Sequence, residues 1–246
     1  MSNNVLDAFK SGTYTGEKTV SRTFIANVFS YMFAALAISG VIAYVVGTNE
    51  PLFWKWFGKE VAPGVYGPNV MFYVVSFAPL ALVFAMSLGY NKFSPAVLLG
   101  LFLTYSVLMG LSLSSIFIVY TLGSIANVFF IAAGMFGFMA FLGYTTKTDL
   151  TKFGALLYMA LFGLILCSLI NWFAQSPAMS WWISIFGVLI FTGLTAYDMQ
   201  KIKQAGMEVE EGSASSAKMA IMSGLTLYLD FLNIFLFLLR LLGERE

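Results

Sequence analysis

The chain has no histidine. That absence removes the side chain most used as a switch near neutral pH, the commonest zinc ligand, and every catalytic arrangement built on imidazole. A single cysteine, Cys167, rules out an intrachain disulfide. It sits inside an apolar run and reads as a small, buried packing residue. Charge is scarce too. Asp, Glu, Lys and Arg make up 10% of 246 residues, against about 25% in a soluble domain. The net charge of +1 offers nucleic acid nothing to hold.

What fills the chain is apolar. Hydrophobic residues are 59% of the total and mean hydropathy is +0.84. This is the composition of an all-α, multi-pass membrane protein whose first partner is the bilayer. A spanning helix needs about 20 mostly apolar residues. Seven stretches qualify: 22–47, 69–90, 95–119, 124–145, 153–173, 181–202 and 218–242. Residues 1–21 are polar and rich in small side chains, so they read as a cytoplasmic tail rather than a cleavable signal. The organisation is then that tail followed by one transmembrane domain, 22–246. Ser94 before Pro95 predicts an N-cap followed by proline at the first helical position.

Lysine and arginine set the orientation. With the N-terminus inside, the inner segments hold nine of them: Lys10, Lys18, Arg22, Lys92, Lys147, Lys152, Lys201, Lys203 and Lys218. The outer segments hold four: Lys55, Lys59, Arg240 and Arg245. Trp54, Trp56, Trp172, Trp181 and Trp182 all fall at the outer boundaries, where the indole ring anchors at headgroup level. An odd number of spans puts the C-terminus outside. Arg240 reads as an interfacial anchor there.

Two carboxylates stay inside the spans, Asp198 on the sixth and Asp230 on the seventh. A carboxylate in hydrocarbon is costly, and intramembrane ionisable residues are functional by default. Ser223, Thr226, Asp230 and Asn233 step by 3, 4 and 3 and form one polar seam on the seventh helix. Thr195 shares the face of Asp198. Asp198 lies three residues from Lys201, whereas Asp230 lies twelve from Lys218. The pair is therefore level only if the sixth helix runs past Lys203 or the seventh projects from the membrane. Two neighbouring carboxylates in an apolar bundle favour sharing a proton, because a second negative charge there is expensive. Loss of that proton would push the helices apart or attract a cation. Ca²⁺, which takes about 6–8 oxygen ligands, suits an incomplete cage of two aspartates, Asn233, Thr226 and water. Such a cage favours passage over storage. No resident cofactor is expected, and Ca²⁺ enters as a transient ligand of Asp198 and Asp230. The bland alternative is interhelical hydrogen bonding alone.

"TGLTAYDMQKIK" (Thr192–Lys203) followed by "LTLYLDFLNIFLFLLRLLG" (Leu225–Gly243) resembles the paired motif of the Bax inhibitor family, the transmembrane Bax inhibitor motif proteins. "GLSLSSIFIVYT" (Gly110–Thr121) and "FLGYTTKTDLTKFGALLYMALFGLILCSLIN" (Phe141–Asn171) are similar to that family's middle helices. The likeness runs from about Arg22 to Gly243 and is closest to the bacterial branch. It implies a seven-helix bundle with the C-terminal helix central, in a bacterial cytoplasmic membrane. It also implies a pH-sensitive Ca²⁺ leak gated by an aspartate pair, which here falls on Asp198 and Asp230. Some members latch the pair with an arginine at the inner end of the second helix. "SLGYNKFSPAVL" offers Lys92 instead, with Arg22 or Lys147 as substitutes.

Other functions compete. Intramembrane aspartyl proteases also carry Tyr-Asp on one helix, as in Ala196–Asp198, but need Gly-x-Gly-Asp on the next, where this chain has the bulky "LYLD". A non-enzyme is expected. Proton-coupled transport would be supported by broken helices, and the sixth and seventh spans hold little glycine and no interior proline. A regulator acting on other membrane proteins could use the small residues of "AAGMFG" (Ala132–Gly137), though these are expected to pack internally. Glu208, Glu210 and Glu211 read as a solvated loop, with a Ca²⁺-collecting mouth as the lesser reading.

Overall fold

A computed structural model describes residues 21–245; the polar tail, with Lys10 and Lys18, lies outside them. Among the described residues, seven helices are long and apolar enough to cross a membrane. They are α1 (Arg22–Gly47), α3 (Val70–Gly89), α4 with its one-turn extension α5 (Pro95–Leu113, Ile116–Val119), α6 (Leu122–Thr145), α7 (Thr151–Ala174), α8 (Pro177–Glu208) and α9 (Ala214–Leu242). Their starts follow the capping chemistry of the sequence. Ser94 Oγ accepts from the Val97 N–H at 3.3 Å with Pro95 at the first helical position. Ser176 and Pro177 repeat that arrangement at α8.

All five tryptophans lie at one end of the bundle. Most of the lysines lie at the other, termed here the basic end. Between α1 and α3 the tryptophan end carries structure that hydropathy does not reveal. A short helix α2 (Glu50–Phe57) leads into a hairpin of β1 (Gly58–Ala62) and β2 (Val65–Pro68), paired antiparallel with Gly58 opposite Pro68. Phe53, Phe57 and Val75 form a small core under it. The chain end is also held there. The Thr121 N–H donates to Glu244 O at 3.0 Å, and the Glu244 N–H to Ser124 Oγ at 2.9 Å.

The last helix is the most buried, with 56% of its apolar stretch inside against 11–39% for the other six. It packs on α1, α4, α6 and α8, and most extensively on α8. The other two helices are peripheral: α3 packs on α4, and α7 on α8. The C-terminal helix is thus central, flanked mainly by four helices, with α3 and α7 outside them.

Helix α7 is apolar all round, so its sequence offers no face to distinguish. It buries only Gly154 and Leu164. Cys167 is exposed on it, which corrects the expectation of a packed thiol. "AAGMFG" also divides. Ala132 and Phe136 are buried, whereas a Cβ on Gly134 or Gly137 would meet nothing within 4 Å. The connection from α6 to α7 is pinned by the buried Gln200, whose amide donates to Thr148 O at 2.8 Å and accepts from the Leu150 N–H at 2.7 Å. In the same connection the Thr151 hydroxyl and N–H donate to Asp149, which, with Lys152 nearby, holds its carboxyl below the usual pKa.

Gly143 is where α6 and α8 approach most closely, since a Cβ there would fall 2.2 Å from Ala196 O. Gly143→Ala is expected to destabilise the bundle by about 1–3 kcal/mol, the usual range for overpacking. Gly134→Ala should be neutral or stabilising, because alanine is the better helix former. Thermal unfolding of the two variants in detergent tests the contrast.

Candidate functional site

The site is built on the α8–α9 hairpin. Helix α8 has no interior proline and continues past Lys203 through "QAGME" to Glu208. That continuation narrows the depth mismatch between the two aspartates without closing it. Asp198 is ten residues from the end of α8, roughly 15 Å at 1.5 Å per residue, and Thr226 is twelve from the start of α9, roughly 18 Å. These two are level. Asp230 is sixteen residues in, roughly 24 Å, and so sits deeper toward the bilayer centre.

Both carboxylates are buried, Asp198 at 7% exposure and Asp230 at 4%. Asp230 Oδ2 is buried and makes no hydrogen bond. The neighbours on α9 turn their donors inward. Thr226 Oγ1 donates to Met222 O at 3.1 Å and Asn233 Nδ2 to Leu229 O at 2.8 Å. What the seam offers the space beside it is therefore mainly acceptor oxygen.

That space is a row of three cavities. The one at the basic end, ≈ 410 Å³, is lined by Tyr90, Asn91, Asp198, Lys201, Ser223 and Thr226 among others. The second, ≈ 540 Å³, lies deeper and takes in Asp198, Thr226, Asp230 and Asn233, with Tyr158 on α7 and Leu80 on α3. Asp198 and Thr226 belong to both and form the wall between them. The third, ≈ 530 Å³, opens at the tryptophan end between Trp172, Trp181, Asn171, Ser180, Arg240 and Arg245. Phe237 lines the second and neighbours Arg240, which lines the third. A Cβ on Gly187 would fall 2.6 Å from the Phe237 ring, which is stacked on Phe191 at 6.0 Å and has the Arg240 guanidinium 5.8 Å from its centre. The peripheral helices are joined at the same level by Phe77 and Trp172, stacked at 6.3 Å.

The structure thus brings Asp198, Asp230, Thr226, Asn233 and Ser223 onto connected walls. Thr195 is fully buried, with its hydroxyl bonded to Phe191 O at 2.7 Å, and lines none of the three cavities. The candidate latches do not reach the pair. Lys92 is exposed in the turn after α3, and Arg22 is exposed at the start of α1. The cations at the inner cavity are Lys201, on its wall, and Lys218, whose Nζ donates to Tyr90 O at 3.2 Å. Lys201 could have been found from its position one turn beyond Asp198. Tyr158 carried no such signal, since only the fold brings α7 against the pair. Glu208 and Glu210 are exposed; Glu211 accepts a hydrogen bond from the Ser21 hydroxyl and ties the α8–α9 turn to the start of α1.

Fold and site together define a multi-pass α-helical membrane protein with two buried carboxylates facing a row of internal cavities. The sequence comparisons say which. The family profile described as "Inhibitor of apoptosis-promoting Bax1" matches residues 21–246, and the chain belongs to that family. It is 42% identical over 226 residues to the Inner membrane protein YbhL of Escherichia coli, covering 92% of this chain and 93% of that one. It is 43% identical over 230 residues to a protein of Borreliella burgdorferi, covering 94% and 95%. It is 32% identical over 233 residues to a membrane protein of Streptococcus pyogenes, covering 95% and 97%. None of these names describes a catalysed reaction.

The wall between the first two cavities can be tested by chemical access. In a Cys167→Ser background, Ser223→Cys is expected to react readily with a charged thiol reagent supplied at the basic end. Asn233→Cys, beyond Asp198 and Thr226, should react roughly tenfold more slowly or worse, as its shielding dictates. Equal rates would mean that the two cavities are continuous.

Proposed function

We propose that this chain is a proton-regulated cation leak with Ca²⁺ as its permeating ion, set in a bacterial cytoplasmic membrane with the basic end and N-terminus inside. The observation that carries the reading is the row of cavities along α8 and α9, interrupted at Asp198–Thr226 and again at Phe237. The first interruption is polar and can titrate. The second is a ring seated on a glycine and can only move.

The proton sets the state of the first. While the pair shares a proton it carries at most one negative charge, and α8 and α9 stay packed. As pH rises and that proton leaves, two negative charges face one cavity. Lys201 lines the inner cavity with Asp198, and Tyr158 faces the deeper one. The second charge then draws in a divalent cation, for which Thr226, Asn233 and water supply further oxygens. Among the described residues, no group of three or more His, Cys, Asp or Glu side chains converges. Two carboxylates with neutral oxygens suit brief residence. Arg240 and Arg245 at the outer cavity oppose cations electrostatically, which suits a slow leak rather than a fast channel.

A non-enzymatic role fits the surroundings of Asp230. Leu227 and Tyr228 are fully buried, and Tyr228 packs edge-on against Phe102 and Tyr105.

The test is Ca²⁺ flux into liposomes holding the purified protein, followed as pH is raised from about 5 to 9. Flux in wild type is expected to rise with pH. Asp198→Asn, Asp230→Asn and the double variant should flatten the profile, and Phe237→Ala should raise flux several-fold at every pH. No flux from any protein would remove the leak. A profile unchanged in the aspartate variants would place the sensor elsewhere.

A further inference from the structure

The bundle holds a fourth large cavity, on the side of α9 away from the aspartate seam. It is a crevice of ≈ 670 Å³ between α1 and α6, with Met199 of α8 and Phe231 of α9 as its floor. The floor residues are 2% and 3% exposed, whereas Phe33 and Phe141 on the lips are 59% and 63% exposed. The crevice therefore runs from the bilayer to the central helix. Between Phe129, Phe136, Phe141 and Tyr144, helix α6 also presents small residues to it. Ala133, Gly137 and Ala140 face it, and a Cβ on Gly137 would meet nothing.

Its length and position are specific. On α1 it runs from Ile25 to Ala37, about 18 Å at 1.5 Å per residue. That is a little over half of a hydrocarbon core of about 30 Å, and thus one leaflet. It begins at the basic end, since Ile25 is in the first turn of α1 and Tyr144 in the last turn of α6. Spread over that length, its volume gives a mean cross-section of about 37 Å². A crevice that is longer than it is wide and walled by carbon suits an acyl chain.

The mouth is cationic. Arg22 stands one turn before Ile25 and Lys203 one turn after Met199, and Lys147 lies in the connection just beyond the end of α6. Lys203 Nζ donates to Tyr144 O at 2.7 Å and lies 5.2 Å from the centre of that ring. Two carboxylates of the same end, Glu211 and Asp149, accept hydrogen bonds from the Ser21 and Thr151 hydroxyls.

We infer that this crevice binds an anionic phospholipid of the leaflet at the basic end, with an acyl chain on Met199 and Phe231 and its phosphate among Arg22, Lys147 and Lys203. These floor residues directly follow Asp198 and Asp230 in the chain. The bound lipid supports the same stretches of α8 and α9 from behind.

The experiment uses full-length protein in detergent, delipidated and then supplied with phosphatidylglycerol or phosphatidylcholine of matched chains. Native mass spectrometry is expected to show one retained phosphatidylglycerol, bound several-fold more than phosphatidylcholine. Gly137→Leu puts bulk into the crevice from a position where an added Cβ meets nothing, and should abolish retention. Arg22→Gln with Lys203→Gln should erase the headgroup preference and leave chain binding. Wild type exposed to phosphatidylglycerol with a photoreactive acyl chain should be labelled on α1, α6 or Phe231, which tests the site even if Gly137→Leu folds poorly. Labelling elsewhere, retention unchanged in Gly137→Leu, or equal binding of the two lipids would overturn the assignment. So would a dimer that Gly137→Leu separates, since the crevice would then belong to a second copy.

Discussion

The structure turns on the cost of placing Asp230 in the middle of a membrane. A carboxylate facing lipid there would cost several kcal/mol, by insertion scales about 2.5–3.5. The fold answers by making the helix that carries it the most enclosed of the seven. Central placement of α9 then dictates much else. Four helices must pack on it, and the close approaches between helices need glycine, as at Gly143 against Ala196. The polar face of α9 cannot turn toward lipid, so it turns toward α8 and a cavity, and the phenylalanine face turns toward α6. Phe231 packs edge-on against Phe129 and Phe136 on that side.

What the sequence made legible follows from the strength of each physical signal. Hydropathy over 20 residues is a large sum, and the seven spans emerge within a few residues of their observed limits. Intramembrane carboxylates are rare, so a census of charge finds Asp198 and Asp230 directly. Hydropathy fails where helix and membrane part company. It ends the sixth span at residue 202 because "KIKQAGME" is polar, yet the backbone stays helical to Glu208. It also passes over α2 and the hairpin, which are too short and mixed to register. The exposure of Cys167 was hidden because a helix apolar on every side has no readable face. The Lys92 latch came from likeness to relatives; the fold instead puts Lys201 and Lys218 at the inner cavity.

Exposed apolar area means something different here than in a soluble protein. Large side chains such as Leu88 and Phe173, each 83% exposed, are ordinary when the surrounding solvent is lipid. Concavity is the informative property. The α1–α6 crevice and the α8–α9 cavities are both concave, yet they differ in chemistry: one is walled by carbon, the other by carboxylate, hydroxyl and amide. They lie back to back across α8 and α9. Any movement of those helices changes both.

That arrangement constrains how charge on the aspartate pair can be relieved. Separating α8 from α9 would break the most extensive helix packing in the bundle, with Leu194, Met199, Leu227 and Ile234 all nearly fully buried. Displacing α3 or α7 costs far less apolar contact. Each leans mainly on one neighbour, and α7 buries only two residues. Both border the cavity that holds Asp198 and Asp230, through Leu80 and Tyr158. In the proposed leak, repulsion within the pair would be met with least loss of packing at the periphery, by admitting water and a cation between α3 and α7. The stacked pair of Phe77 and Trp172 is the contact that such a movement must break. The central hairpin would then be the fixed element against which the outer helices move.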